Sequence, residues 1–197
     1  EVNKALGDFA PIVAIGIGFA TGGWGATPWY KAATVGFVTG GIATGSLKGA
    51  LVGALAGAAF QQIGAHYRGL SAQNVNDVAW NGAQLSDYVD FGGNLLTKGQ
   101  VAGQIASHAV AGGVISTLGG GKFGHGFVSA GFTKGVGTPL IDSTSGNLAG
   151  EAIAHVAIGG TASVLSGGKF ANGARTASYQ LLFNGWGAKG GKKLTRE

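Results

Sequence analysis

The chain contains a near-copy of itself 47 positions downstream, since residues 108–126 return in similar form as residues 155–173. The paired positions include His108 and His155, Gly112 and Gly159, Gly113 and Gly160, Ser116 and Ser163, and Lys122 and Lys169. A period of this length is typical of a supersecondary unit that is used more than once. Within each copy, small and apolar residues lead to a glycine-rich break and then to a second apolar stretch ending in an aromatic residue, Phe132 or Tyr179. This layout predicts a helical hairpin with glycine at the turn.

We therefore expect an all-α fold of glycine-rich helical hairpins with an internal repeat of about 47 residues, as the spacing of His108 and His155 indicates. The two hairpins are predicted over residues 101–136 and 148–184. Their turns are predicted at Gly119, Gly120, Gly121 and Lys122, and at Gly167, Gly168 and Lys169. Each glycine inside a helix costs about 1 kcal/mol relative to alanine, so packing must hold these helices.

The composition restricts what can cover the surface of the fold. Glycine accounts for 41 of the 197 residues, and only 11% are charged, against a usual quarter. Such a chain is expected to associate with lipid, with a partner or with its own copies. Disordered chains have the opposite composition, with few apolar residues and much charge. The net charge of +5 is scattered except for a basic tail that includes Lys189 and Arg196, so no basic face predicts binding to nucleic acid.

Several long stretches carry no Asp, Glu, Lys or Arg: 9–30, 32–47, 49–67, 99–121 and 152–168. Spanning a bilayer as a helix takes about 20 mostly apolar residues, so these stretches are marginal membrane segments. The chain has no cysteine, which excludes disulfides, thiol catalysis and thiolate metal sites. It also has no methionine, so we expect a fragment or proteolytic product of a longer polypeptide.

A ladder of glycines spaced four residues apart is the second strong pattern, with Gly36 and Gly40 just before it. Its members are Gly41, Gly45, Gly49, Gly53 and Gly57. Residues four apart share a helix face, and small residues there let another backbone approach closely, as in membrane helix pairs. A turn at residues 44–46 would divide the ladder into a first hairpin of about 30–43 and 47–65. Lys48 then follows the turn, as a solvated residue or as a polar residue of a pore wall.

These patterns predict four regions. They are a glycine-zipper helical module (1–70), a polar connector with a short helix near 74–90 (71–98), the two repeated hairpins (99–184) and the basic tail (185–197). Asn74 or Asn76 is a candidate N-cap for the short helix.

Candidate groups for acid–base chemistry are few. His108 and His155 occupy equivalent repeat positions, which favours equivalent packing, and no close His spacing predicts a metal site. The glycines before Lys122 and Lys169 lack P-loop spacing, because Phe123 and Phe170 follow the lysines. We therefore expect no metal, no cofactor and no enzymatic activity.

Residues 120–126 and 159–174, together with Leu182-Phe183-Asn184, resemble the C-terminal regions of bacterial Rhs-repeat and related polymorphic toxins. Residues 45–54, with Ala58-Ala59-Phe60, resemble another stretch of those regions. The resemblance implies a toxin released by self-cleavage inside an Rhs shell, delivered to rival bacteria, often by type VI secretion, and neutralised by a cognate immunity protein. It leaves the activity open, since these toxin tips include nucleases, ADP-ribosyl transferases and membrane-depolarising proteins.

The combined prediction is a secreted antibacterial toxin tip that inserts in the inner membrane of the target cell and forms an ion-leaking pore. Its expected partners are the Rhs shell, the immunity protein, membrane lipid and further copies of itself. In this mechanism the glycine ladder supplies close helix contacts, and Lys48 lines or anchors the pore. Two alternatives stay open: a toxin enzyme that uses His108, His125 or His155, and a non-catalytic carrier or translocation segment.

Overall fold

The computed structural model describes residues 28–142 and 148–185. Residues 186–197 of the predicted basic tail and residues 9–27 of the first charge-free stretch lie outside this part of the chain. In chain order the α-helices are α1 (Trp29–Thr44), α2 (Leu47–Trp80), α3 (Lys98–Leu118), α4 (Phe123–Phe132), α5 (Thr138–Asp142), α6 (Leu148–Leu165) and α7 (Phe170–Gln180). π-helical turns at Thr133–Gly137 and Leu181–Gly185 continue α4 and α7. The predicted all-α class is confirmed.

The first hairpin turns where the glycine ladder is interrupted. Gly45 ends α1 in the left-handed region (φ 64°) and donates its N–H to the Gly41 carbonyl at 2.8 Å. Ser46 caps α2 by accepting the Gly49 N–H at 3.0 Å. Glycine at the end of one helix and serine at the start of the next are the residues that these positions favour.

Helix α2 is longer than the predicted module, because it runs for 34 residues and ends at Trp80. The boundary placed at residue 70 therefore lies inside a continuous helix. The short helix expected near 74–90 is wrong, and so is a capping role for Asn74. The Asn74 side chain is buried and donates to the Leu95 carbonyl (2.8 Å) and to Gln100 Oε1 (2.7 Å).

The rest of the predicted connector forms a small β-hairpin, which the sequence analysis missed. A 3₁₀ turn (Leu85–Asp87) leads into β1 (Tyr88–Phe91), which pairs antiparallel with β2 (Asn94–Thr97). Gly92 and Gly93 form the turn with φ of 62° and 76°, as a tight hairpin turn requires. Thr97 then starts α3 through a capping box with Gln100.

Each copy of the repeat forms a helical hairpin, α3–α4 and α6–α7. The turn glycines Gly120 and Gly167 have φ of 89° and 86°. Just after them, the Gly121 N–H donates to the Ser116 carbonyl at 2.8 Å, and the Gly168 N–H donates to the Ser163 carbonyl at 2.7 Å. The two turns are therefore built in the same way.

One hydrophobic core joins all three hairpins. Its members include Phe60 from α2, Ile115 from α3, Val156 from α6, and Leu182 and Phe183 from the π-helical turn after α7. The predicted N-terminal module and the repeated hairpins thus share a single packed interior.

Candidate functional site

A seam of small residues joins α1 to α2 with almost no side chain between the two backbones. Its members are Ala32, Gly36 and Gly40 on α1 and Gly49, Gly53 and Gly57 on α2. A Cβ atom added at Gly36 would overlap the Gly53 carbonyl oxygen, and one added at Gly53 would overlap that of Gly36. We call this contact the glycine seam. Substitution by any larger residue must separate the helices or distort them.

The predicted ladder is therefore divided between two packed helices. Gly49, Gly53 and Gly57 lie on the seam, whereas Gly41 lies at its edge, with its Cβ position 3.4 Å from the Ala50 Cβ. Gly45 belongs to the turn instead. The α2 glycines pack against Gly36 and Gly40, two residues that precede the ladder in the sequence.

Large apolar residues occupy the face of α2 that points away from the seam. Leu47, Leu51 and Leu55 alternate with the seam glycines two residues apart and are each more than half exposed. Two residues along a helix turn the side chain by about 200°, so the leucines and the glycines lie on opposite sides. Over residues 47–57, helix α2 thus buries glycine and exposes leucine, whereas further along it buries Phe60 and Tyr67.

Helix α3 has the same reversed arrangement, with polar and small residues inside. Gln104, His108, Gly112 and Ser116 follow one another at intervals of four and are all buried. Val110, Val114 and Leu118 form the opposite face and are exposed.

Helix α6 repeats the polar stripe of α3 at the equivalent positions. Glu151, His155, Gly159 and Ser163 are buried, and Ile153 and Val164 are exposed. We call the two sets the polar stripes. In a water-soluble helix bundle the polar faces of the helices point to solvent, whereas the polar stripes point to the interior.

Two buried side chains of the interior have no hydrogen-bond partner among the described residues. The amide nitrogen and oxygen of Gln104 and of Gln180 are all inaccessible and unpaired there. Leaving a buried polar group unsatisfied costs about 1–3 kcal/mol, so these amides favour any state that gives them water or another partner.

The interior also holds charged residues. Lys134, in the π-helical turn after α4, is 4% exposed, and its Nζ lies 5.2 Å from the centre of the Phe91 ring. Glu151 is 6% exposed in the first turn of α6. Ionisable side chains are rare in protein interiors and are almost never fully buried unless they are paired.

The three histidines of the enzyme alternative lie in three different environments. His108 stacks on Phe60, with ring centroids 5.5 Å apart, and its Nδ1 lies 2.8 Å from the Gln104 carbonyl. His155 is buried on α6, whereas His125 lies at the turn beside Gly167 and Gly168. Across residues 28–142 and 148–185, no group of three or more His, Cys, Asp or Glu side chains is placed to hold a metal ion.

The predicted turn residues lie together at one end of the bundle. Gly119 caps α3, and Lys122 and Lys169 occupy the N-cap positions of α4 and α7 with exposed side chains. Lys48 is also exposed, beside Gly120. An exposed side chain at this position is what the solvated interpretation of Lys48 predicts.

Sequence reasoning missed the buried polar residues Gln104, Lys134, Glu151 and Gln180. One signal was present, since Gln104–His108 and Glu151–His155 are polar pairs four residues apart at equivalent repeat positions. On a soluble helix such a pair predicts a solvent face, so the pattern alone does not reveal that it is inside.

Among the helices that the structure describes, α3 is long and apolar enough to cross a membrane, by length and composition. Comparison with known proteins adds no relative, because no family model, no curated protein and no solved structure matches this chain.

Proposed function

We propose that this chain permeabilises membranes, and that the bundle described above is the self-packed form of an antibacterial toxin that depolarises the target cell's inner membrane. The observation that carries the proposal is the reversed distribution of residues on α2 and α3. Over residues 47–57 of α2 and 104–118 of α3, leucine and most valine side chains are exposed, whereas glycine, glutamine, histidine and serine are buried beside the core residues Val52 and Ile115.

The reversed distribution suits lipid rather than water. Helices in bilayers associate through small residues that allow close backbone contact, and their polar residues face the bundle interior or a water-filled cavity. The glycine seam supplies the first feature, and the polar stripes supply the second. A soluble protein with this arrangement would expose apolar surface over most of its helices, which favours association with lipid or partners.

Helix α3 has the dimensions for a spanning segment. Its 21 residues extend about 31 Å, close to the roughly 30 Å hydrocarbon core. In the bundle 39% of its most apolar stretch is buried, so more than half of that stretch is available to lipid.

In the proposed mechanism, the hairpins exchange their contacts with one another for contacts with lipid and keep the close packing within each hairpin. The polar stripes then face one another or further copies of the chain across a hydrated path. Gln104 and Gln180, unpaired in the self-packed state, gain water in that path. Ions cross because this wall replaces part of their hydration.

The toxin setting comes from the resemblance to Rhs-type C-terminal regions. In that setting, the Rhs shell keeps the apolar surface from water before delivery, and an immunity protein in the producing cell blocks insertion or the ion path. The carrier alternative uses the same surface for passage of another segment, and it differs in producing no lasting conductance.

Ion leakage from liposomes that enclose a potassium-sensitive dye tests the proposal, together with membrane potential in bacteria that export the chain to the periplasm. We expect prompt leakage and depolarisation with DNA, RNA and nucleotide pools intact. Loss of nucleic acid or nucleotides before depolarisation would favour the enzyme alternative, and absence of any leakage would favour the carrier.

A variant of the glycine seam provides the structural control. Gly49→Leu/Gly53→Leu places bulk where backbones touch and should abolish leakage, whereas Gly69→Leu, on the same helix but with open space at its Cβ position, should leave it unchanged. Equal leakage by the two variants would remove the seam from the mechanism.

A further inference from the structure

Three turns of the bundle meet at one end. The Lys48 Nζ, after the α1–α2 turn, lies 3.8 Å from the Cβ position of Gly120 in the α3–α4 turn. The Cβ position of the next residue, Gly121, lies 3.4 Å from Asn172 Nδ2 at the start of α7. The third turn closes the group, because the Cβ position of Gly168 lies 2.9 Å from His125 Nδ1 at the start of α4. We call residues 45–48, 118–123 and 165–170 the three-turn end.

Each of the three turns contributes one exposed lysine: Lys48, Lys122 or Lys169. In the part of the chain that the structure describes, the acidic residues lie elsewhere. Asp77 is about 44 Å along α2 from Lys48, and Glu151 is buried about 21 Å along α6 from Leu165. Asp87 and Asp90 lie beside the start of α3, at the opposite end of that helix from the turn. Among residues 28–142 and 148–185, the segments that form the three-turn end therefore contain lysines and no acidic residue.

The same turns expose large apolar side chains next to the lysines. Leu47 is 70% exposed, and Leu165, at 82%, is almost as exposed as a side chain in an extended peptide. Phe123 and Phe170, directly after Lys122 and Lys169, are also exposed. Lysine beside exposed leucine and phenylalanine is the combination by which protein surfaces bind anionic bilayers, since the ammonium meets headgroup phosphate and the apolar group enters the acyl boundary.

We propose that the three-turn end is the surface by which the chain docks on anionic phospholipid, and that this end enters the bilayer first. The inference rests on the proposed membrane function and specifies its lipid class and its orientation of approach. A nucleic-acid backbone would match the lysines but leave Leu47 and Leu165 without a partner, so the apolar residues favour lipid.

Vesicle binding by the full chain tests the docking with two matched double variants. Lys122→Gln/Lys169→Gln removes two charges from the three-turn end, and Lys31→Gln/Lys98→Gln removes two exposed charges at the opposite ends of α1 and α3. The side chains of Lys122 and Lys169 make no capping hydrogen bond, so their loss should leave helix content by circular dichroism unchanged.

Binding is measured by co-sedimentation with vesicles of phosphatidylcholine alone and of an equimolar mixture with phosphatidylglycerol. A lysine near an anionic surface contributes about five-fold in affinity, so the variant of the three-turn end should bind the anionic vesicles about 25-fold more weakly. The opposite-end variant should change by less than about two-fold, because about 20 Å of α1 and about 30 Å of α3 separate its charges from the docked surface, which is about two to three Debye lengths at 0.1 M salt. Equal weakening of both variants, or of neither, overturns the proposal, as does failure of the unmodified chain to prefer anionic vesicles.

A depth probe tests the orientation independently, using the absence of native cysteine. Leu165→Cys and Val75→Cys, labelled with an environment-sensitive fluorophore, place probes at the three-turn end and near the far end of α2. On first contact with anionic vesicles the probe at residue 165 should be quenched by brominated acyl chains before the probe at residue 75. The reverse order overturns the orientation. Leakage measured in the same samples separates the two proposals. Docking without leakage rejects the membrane-permeabilising function. Leakage together with binding that is unchanged in the Lys122→Gln/Lys169→Gln variant rejects the docking surface.

Discussion

The hairpins α3–α4 and α6–α7 close by the same contacts. A Cβ atom at Gly126 would overlap the Gly112 carbonyl oxygen and the Ser116 Cβ. In the second copy, Gly173 has the same relation to Gly159 and Ser163. The shared sequence therefore determines how the two helices of each hairpin cross.

The outer faces of the two hairpins have different surroundings. On the second helix of each copy, Phe132 corresponds to Tyr179, and Val136 corresponds to Phe183. Phe132 and Val136 are about half exposed, whereas Tyr179 and Phe183 are buried. The buried pair packs on the glycine seam, where the Cβ position of Gly57 lies 3.2 Å from the Phe183 ring.

The difference between the two copies separates what the local sequence determines from what the rest of the chain determines. Turn and crossing are local properties that a near-copy reproduces, whereas burial of the outer face depends on a partner from elsewhere in the chain. The glycine hairpin α1–α2 covers one copy and leaves the other open, so only one of two similar surfaces belongs to the core.

The largest expected difference between the copies is the response to removing a phenylalanine from the outer face. Phe183→Ala should lower the free energy of unfolding by about 3–5 kcal/mol, because it leaves a cavity against the glycine seam. Phe132→Ala makes the same chemical change at a side chain that is only half buried and should cost about 1 kcal/mol. Urea denaturation followed by circular dichroism measures both. Similar losses would mean that the α3–α4 face is covered in solution, for example by a second copy.

The repeated hairpins were predictable because their signals are local. A break of glycines, a following lysine and a phenylalanine occur at the same spacing in both copies, and Gly120 and Gly167 adopt the left-handed conformation that glycine favours. The first hairpin was predictable for the same reason, since a turn at residues 44–46 interrupts the ladder.

The remaining features depend on contacts between distant segments. The β-hairpin at residues 88–97 has strands of only four residues, and Asn74 and Ser71 of α2 hold it through hydrogen bonds to the Leu95 backbone. The inside position of Gln104 and Glu151 follows from which faces pack together, and a polar pair four residues apart has the same spacing on a buried face as on a solvent face. Composition predicted too few charged residues to cover the surface, but not which apolar residues would be exposed.

An intermediate effect on the free energy of unfolding is expected where the two helices of each repeated hairpin cross. Gly126→Ala and Gly173→Ala each push a Cβ into backbone and should cost about 1–3 kcal/mol, the usual range for overpacking. Both values should be alike, because the two crossings have the same contacts. Gly124→Ala, on α4 with open space at its Cβ position, is the control and should stabilise the chain by up to about 1 kcal/mol. A loss at Gly173 alone would show that its crossing depends on the glycine seam rather than on the repeat.

The smallest effect concerns the serine hydroxyl that fastens each turn. Ser116 Oγ donates to the Lys122 carbonyl at 3.0 Å, and Ser163 Oγ donates to the Lys169 carbonyl at 2.9 Å. Ser116→Ala and Ser163→Ala should each lower the free energy of unfolding by about 1 kcal/mol, the net value of a hydrogen bond whose acceptor keeps access to other donors. Ser107→Ala, which removes only a bond to the Gly103 carbonyl within α3, should stay within about 0.5 kcal/mol. Because the two turns share geometry but not outer surroundings, equal losses at residues 116 and 163 would place the stability of each turn within its own hairpin. A markedly larger loss at Ser163 would mean instead that burial of α7 under α1–α2 reaches the turn and strengthens it.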